Sequence, residues 1–335
     1  MAAVDSPNQT VGSGHISAPL TDFSLGYHPM GFVADQLFPV VPVKKRNDLY
    51  YKWDKGQAFR LDRADGYGTM RADGARAKQE KFGATADGYV ALEWAMETVI
   101  TDEEESNADT ALNLAQSRIR RAQDKVLLDY ELRVATIATT TGNYTNSNVV
   151  TNVGATQWNN SGFSSLGTTG SGHSLIAAQL LTGIDTIRRN TGGLVPNVIV
   201  VPFSVAMVMA NDPGLVDLKK YVTNLMAGDV FANLVPPMYM GMKVLIPTAG
   251  YITTNEGVSV GSLTDVWGKN VVLAHVETSP SLDSLTFGYT IRSRPWQVKT
   301  FRDEFTDSTI HRPSFVQTEK LVAQDCAYLI AAAIA

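Results

Sequence analysis

Between Leu49 and Thr139 a highly charged strand-turn-strand arm runs straight into a long helical pattern, and few folds can absorb that pair of features. From Lys52 to Lys81 the arm carries eight bases and five acids, with Gly56, Gly66, Gly68 and Gly74 breaking every apolar period. Such a segment cannot bury a core of its own, so in an isolated monomer it is expected to be mobile. Its flanks differ. Tyr50, Tyr51 and Trp53 on one side, and Tyr89, Leu92, Trp94 and Val99 on the other, are strand formers. A hairpin with ordered stems and a long charged tip is shaped to reach a neighbouring molecule. Arg60, Asp62, Arg63, Asp65, Arg71, Asp73 and Arg76 are therefore the candidate intersubunit contacts.

The helical pattern that follows has a defined start. Thr101 is placed to cap, Glu104 sits three residues on as its capping-box partner, and Asp102 to Glu105 suit a helix N-terminus. Apolar residues recur at Ala108, Leu112, Ala115, Ile119, Ala122, Val126, Tyr130, Val134 and Ile137, with no Pro or Gly before Gly142. Read as one rod, this spans roughly 55 Å. The stripe is narrow and partly Ala, which predicts a helix lying on a sheet or on another chain.

The chain of 335 residues suffices for two or three subdomains. Net charge is −5, and with the basic arm set aside the remainder sums to −8, which argues against a body that grips nucleic acid. Cys326 is the single cysteine, so no intrachain disulfide or cysteine-rich metal site is available, and it reads as a small buried hydrophobe. No secretory signal or membrane-length apolar run is legible, and a cytosolic site of synthesis is expected.

Along the rest of the chain, Met1 to about Gly26 is polar and reads as a loose arm. Tyr27 to Val43 is apolar but punctuated by Pro29, Pro39 and Pro42, which confines it to a sheet edge. Gly142 to His173 holds no charge and reads as loop and short strand with Trp158 as an anchor. A second helix is predicted over Leu175 to Arg189, closed by the Asn190-Thr191-Gly192-Gly193 C-cap signal. Val198 to Val201 is a buried strand, and Phe203 to Ala210 and Pro213 to Val222 are helical. Strands follow at Val244 to Ile246, Val271 to Ala274, Thr286 to Ile291, Gln297 to Phe301 and from Phe315 on. The class is α+β, with at least two sheets joined by long excursions.

Chemistry is sparse. His15, His28, His173, His275 and His311 are scattered and form no ligand spacing, so structural roles are preferred. Asp102 to Glu105 has the donors for a divalent cation, but the helix dipole explains the run without one. Asn190 to Gly193 follows a helix and precedes a strand, the reverse of a phosphate loop. Arg118, Arg120, Arg121 and Lys125 form a basic patch that fits a salt-bridge face better than a DNA contact. An α/β hydrolase or dehydrogenase would need a nucleophile elbow or a glycine fingerprint, and neither is present. No catalytic, cofactor or metal residue is assigned.

Four phrases carry a resemblance. They are Leu37-Phe38-Pro39-Val40-Val41-Pro42-Val43 with Leu49-Tyr50-Tyr51-Lys52-Trp53; Thr191-Gly192-Gly193-Leu194-Val195-Pro196-Asn197-Val198-Ile199-Val200; Asn211-Asp212-Pro213-Gly214-Leu215 with Lys220-Tyr221; and Val266-Trp267-Gly268-Lys269-Asn270. In this order, over nearly the whole chain, they resemble the tailed-phage major capsid proteins of the Hong Kong 97-like fold. The resemblance implies an N-terminal arm over 1–45, an extended loop over 46–98 and a peripheral domain with its spine helix over 99–173. It further implies an axial domain over 174–285 and return strands of the peripheral domain over 286–335. The implied function is an icosahedral shell of pentamers and hexamers, enclosing double-stranded DNA as non-specific content. Localisation would be the virion, with the host cytoplasm during assembly. A separate scaffolding protein, a portal and a decoration protein are the candidate partners, with no membrane and no cofactor. About 26 loose N-terminal residues are too few for a built-in scaffold. Some relatives crosslink a loop lysine to a neighbour's asparagine; Lys78 or Lys81 would be the lysine here, with simple ion pairing preferred. The alternative within the fold is an encapsulin-type nanocompartment shell.

Overall fold

The computed structural model describes residues 15–16, 31–52, 69–71, 73–77, 85–107, 114–159, 175–212, 215–216, 235–254, 261, 263–279 and 285–335. Its axis is a long antiparallel hairpin, β14 (Gly288–Asp303) against β15 (Ser308–Leu321), in register from Gly288↔Leu321 to Asp303↔Ser308 with irregularities near Arg294. The two short predicted strands at 286–291 and 297–301 are thus one bulged strand. On the outer edge of β14 lie β1 (His15–Ile16, antiparallel) and β2 (Val40–Pro42, parallel). The proline-punctuated segment is at a sheet edge, as its missing donors require. On the outer edge of β15 lie β5 (Leu92–Ala95) and β6 (Thr98–Thr101). Between these edge elements, β3 (Asn47–Lys52) and β4 (Thr85–Val90) form a separate two-stranded hairpin, the stem of the charged arm. Leu92, Trp94 and Val99 belong to the large sheet rather than to that stem.

The capping box forms as read: Glu104 N–H donates to Thr101 Oγ1 at 3.3 Å and Thr101 N–H to Glu104 Oε2 at 3.4 Å. It opens helix α2 (Asp102–Asn107), which follows the short α1 (Ala34–Leu37) in the chain and precedes α3, the 26-residue helix Leu114–Thr139. The single-rod expectation is corrected by one ion pair. Arg118 reaches Glu104 at 2.8 Å and the Val99 carbonyl at 2.7 Å. In one straight helix, residues 14 apart lie about 21 Å apart along the axis, beyond the reach of the two side chains. Helices α2 and α3 are therefore not collinear, and the rod is about 39 Å long.

Helix α3 lies on the large sheet with Ile119, Ala122, Val126, Leu127, Tyr130, Val134, Ala135 and Ala138 buried. The stripe is wider than read, because it includes the polar residues Gln123 and Glu131, both fully buried. Tyr130 meets Thr290 across the interface, hydroxyl to hydroxyl at 2.7 Å, and packs edge-on against Phe315.

A second six-stranded sheet has the order β7-β16-β13-β8-β10-β9: β7 (Val149–Thr151), β8 (Val198–Val200), β9 (Met238–Tyr239), β10 (Met242–Leu245), β13 (Val271–Ala274) and β16 (Ala327–Ala331). A small pair, β11 (Gly250–Tyr251) with β12 (Thr264–Asp265), stands beside it. Alternate residues serve two cores. Val198, Val200, Val272, Ala274 and Leu329 face the core under α3, while Ile199, Val201, Val271, Leu273 and Ile330 face the core under α4 (Leu175–Thr191) and α5 (Phe203–Ala210). Burial on both faces explains why β8 and β13 read as unbroken apolar runs. This sheet also takes β7 and β16 from outside 174–285. The C-cap of α4 is as read, with Gly192 at φ +74° and Gly193 N–H donating to the Arg188 carbonyl at 2.9 Å. Trp158 is fully buried. Of the helix predicted over 213–222, all but 215–216 lies outside the described residues.

Candidate functional site

The candidate contact surface starts at the β3–β4 stem, whose register runs from Asn47↔Val90 to Lys52↔Thr85. At its outer end Lys52 pairs with Asp87 at 2.5 Å, and Tyr50 donates to Asp87 at 3.3 Å and to the Leu321 carbonyl at 3.2 Å. The Lys52 ammonium holds the Asp87 carboxyl below the ordinary carboxylate range, and Asp87 in turn raises Lys52. Tyr50 thus ties the stem to the end of β15. Among the described residues no third strand pairs with either edge of this hairpin, and the Leu49 and Gly88 amides there donate to the Asp48 and Asp87 carboxylates at 3.0 and 2.8 Å. Leu49 (64% exposed) and Val90 (54%) add apolar surface beside those edges.

Of the seven charged residues expected to make intersubunit contacts, Arg71, Asp73 and Arg76 are described and exposed, beside Gly74 at φ +73°. Arg60, Asp62, Arg63 and Asp65 lie outside the described residues, as do Lys78 and Lys81. The structure therefore brings three of the seven onto one exposed stretch.

The acidic run is engaged by arginines. Asp102 binds Arg302 through both carboxylate oxygens at 2.5 Å, and Glu104 takes Arg118. Arg294 pairs with Glu93 at 2.5 Å, and Arg312 with Glu97. These are braces across the large sheet within one subunit. Arg120, Arg121 and Lys125 are exposed on α3. The Asn190–Gly193 segment is a helix C-terminus, which presents carbonyls rather than the N–H groups an anion requires. His275 Nδ1 is 2.7 Å from the Val195 carbonyl, and buried His311 contacts Thr300 at 3.0 Å, both structural partners. His28 and His173 lie outside the described residues. Cys326 is fully buried, and burial pushes its thiol up to about 12.

Two junctions escaped the sequence reading. Glu131, inside the buried stripe, accepts Val33 N–H (3.1 Å to each oxygen), Ala34 N–H (2.9 Å) and the Trp267 indole N–H (2.7 Å). Arg133 lies 3.6 Å from the Trp94 ring centre, gives two bonds to Glu319 at 3.1 and 3.2 Å, and also contacts Asp129. It joins α3, β5 and β15. The readable signal was the charge itself: Glu131 stands four residues after Leu127 and four before Ala135, inside an apolar stripe.

No family model matches the chain. It is 25% identical over 316 residues to a major capsid protein of Burkholderia phage BcepMu, covering 93% of this chain and 94% of that protein. Among solved structures, a phage-related protein from Bordetella bronchiseptica RB50 superposes with a TM-score of 0.66 at 23% identity, over 96% of this chain and 98% of that one. The capsid of cyanophage P-SCSP1u gives a TM-score of 0.58 at 9% identity, over 98% and 93%. The chain thus has the fold of phage capsid proteins, and it is similar in sequence, end to end, to a phage major capsid protein.

Proposed function

We infer that this chain is the major capsid protein of a tailed phage, a structural protein whose many copies close an icosahedral head around double-stranded DNA. The observation that supports this most is the end-to-end sequence similarity to a phage major capsid protein, on a fold shared with phage capsids. That relative is a phage protein, which favours the viral shell over the encapsulin alternative. The role is mechanical, and no substrate is turned over. The free-edged stem, its charged tip and the exposed apolar residues beside it supply weak contacts that act by repetition. Heterologous contacts that close by rotation give rings, and rings of five and six together close a shell. A scaffolding protein, a portal and a decoration protein are the proposed partners, and the virion is the proposed location.

The test is negative-stain microscopy of the expressed protein, alone and with its scaffold. Capsomers or hollow particles are the expected outcome. A homogeneous monomer or dimer under both conditions, with turnover on a substrate panel, would overturn the reading.

A further inference from the structure

The β14–β15 hairpin ends in a turn that is fixed in place while its largest side chain stands clear of the subunit. Phe305 is 100% exposed. Its N–H donates to Asp303 Oδ1 at 3.0 Å, and Thr306 Oγ1 meets Asp303 Oδ2 at 2.9 Å and Ser308 Oγ at 2.7 Å. The Asp307 carbonyl accepts the Asp102 N–H at 3.0 Å, and Asp307 holds φ +42°, a conformation that L residues adopt at a cost. A single exposed aliphatic side chain on a sheet is ordinary. A phenylalanine on a preorganised turn is different, because its ring can be buried elsewhere without first ordering the turn. Beside it the Glu304 and Asp307 side chains are each 81% exposed. Each meets Arg302 only at 3.8 Å, since that guanidinium is already committed to Asp102.

The stem of the arm carries a complementary surface. Its register sorts side chains onto two faces. Tyr50 and Tyr89 are on one, donating to the Leu321 and Lys45 carbonyls at 3.2 Å each. Leu49, Ala86 and Val90 are on the other, and all three are exposed. Leu92, 54% exposed, follows two residues on. The Ala91 N–H donates to the Arg46 carbonyl at 2.7 Å, which brings the exposed Arg46 alongside, with Lys44 exposed just before it.

We propose that the Phe305 tip of one copy seats on the Leu49–Val90–Leu92 face of another copy, with Glu304 against Arg46. This contact rests on the shell role inferred above and names which surface of one subunit meets which surface of the next. The tip is an apolar knob flanked by acids, and the face is an apolar patch flanked by bases, so both parts match. The other exposed basic surface, Arg120, Arg121 and Lys125 on α3, has no large exposed apolar residue among those described and gives the ring no seat. Tip and face cannot meet within one chain. Leu92 pairs with Gln317, and the strand from Ser308 to Gln317 spans roughly 30 Å. The contact therefore joins two different surfaces, and it propagates from copy to copy until a ring closes.

Sedimentation velocity and negative-stain microscopy of the full-length protein, alone and with its scaffold, test this. Phe305→Ser removes no buried group, so circular dichroism should be unchanged, while the protein concentration at which particles form should rise by about tenfold. Glu304→Arg and Arg46→Glu should each impair assembly. The double variant, with the charges exchanged, should recover most of the wild-type particle yield, and such recovery can come only from contact between copies. Wild-type particles with an unshifted threshold in Phe305→Ser would overturn the docking and leave the shell role intact. A double variant no better than either single variant would do the same and assign the tip to a different protein. Wild-type protein that forms no particles under either condition would overturn both.

Discussion

Phe38 makes a quantitative prediction through Gly288. Phe38 stands on the backbone of β14 so closely that a Cβ at position 288 would lie 2.3 Å from its Cε1, and 2.8 Å from the Lys320 carbonyl oxygen. Gly288→Ala alone should therefore overpack the core and cost about 1–3 kcal/mol. Phe38→Ala alone empties a fully buried ring site and should cost about 3–5 kcal/mol. In the double variant the added methyl enters the space the ring has left, so the main clash disappears. The Lys320 carbonyl remains, which makes the relief partial. The double variant should thus be less destabilised than the sum of the singles by about 1–2 kcal/mol, within the range for residues in direct contact. Urea unfolding of unassembled subunits, compared at equal m-values, measures all three. Additivity to within about 0.5 kcal/mol would refute the close approach of Phe38 to Gly288.

Other perturbations address the helix, its junction and the arm. Arg121→Pro, at an exposed position inside α3, removes a backbone bond and should cost about 3 kcal/mol or more, yielding insoluble or unassembled protein; normal particles would refute the continuity of the helix there. Arg133→Met strips the buried Glu319 of its cation and should cost about 2–3 kcal/mol in urea unfolding, while Arg133→Met with Glu319→Met should recover much of the loss; equal losses would show that the pair is not coupled. Replacing Arg60, Arg63, Arg71 and Arg76 together by Ala should leave circular dichroism unchanged but impair assembly. An unfolded variant would instead place these side chains within the subunit's own structure.

Much of the local structure was legible because its causes are local. Thr101 and Glu104 satisfy each other's backbone across three residues, and Gly192 ends α4 because only glycine takes that φ cheaply. Val198 to Val200 is apolar at every position, which already requires burial on both faces. Cys326 reads as a small buried hydrophobe from its apolar neighbours and is buried, the Trp158 anchor is fully buried, and the prolines keep Val40–Pro42 at an edge. Of the candidate contact surface, the stem strands and the exposed character of Arg71, Asp73 and Arg76 were visible in composition.

What composition and spacing determine about this chain is therefore its class, the start of α2 and the end of α4, which strands are buried, and the presence of a strongly charged, glycine-broken stretch after β3. Tertiary structure alone decided that Leu92 and Trp94 join β15 rather than the arm's stem, that α2 and α3 are not one rod, and that a single glycine receives the Phe38 ring. It also decided that Glu131 and Arg133, two residues apart on one helix, serve opposite ends of unrelated contacts. The physical reason is range. Caps and turns are settled by groups a few residues apart, whereas the donors that meet Glu131 and the Glu319 carboxylate that meets Arg133 stand 97 to 186 positions away and arrive only once the layers have closed.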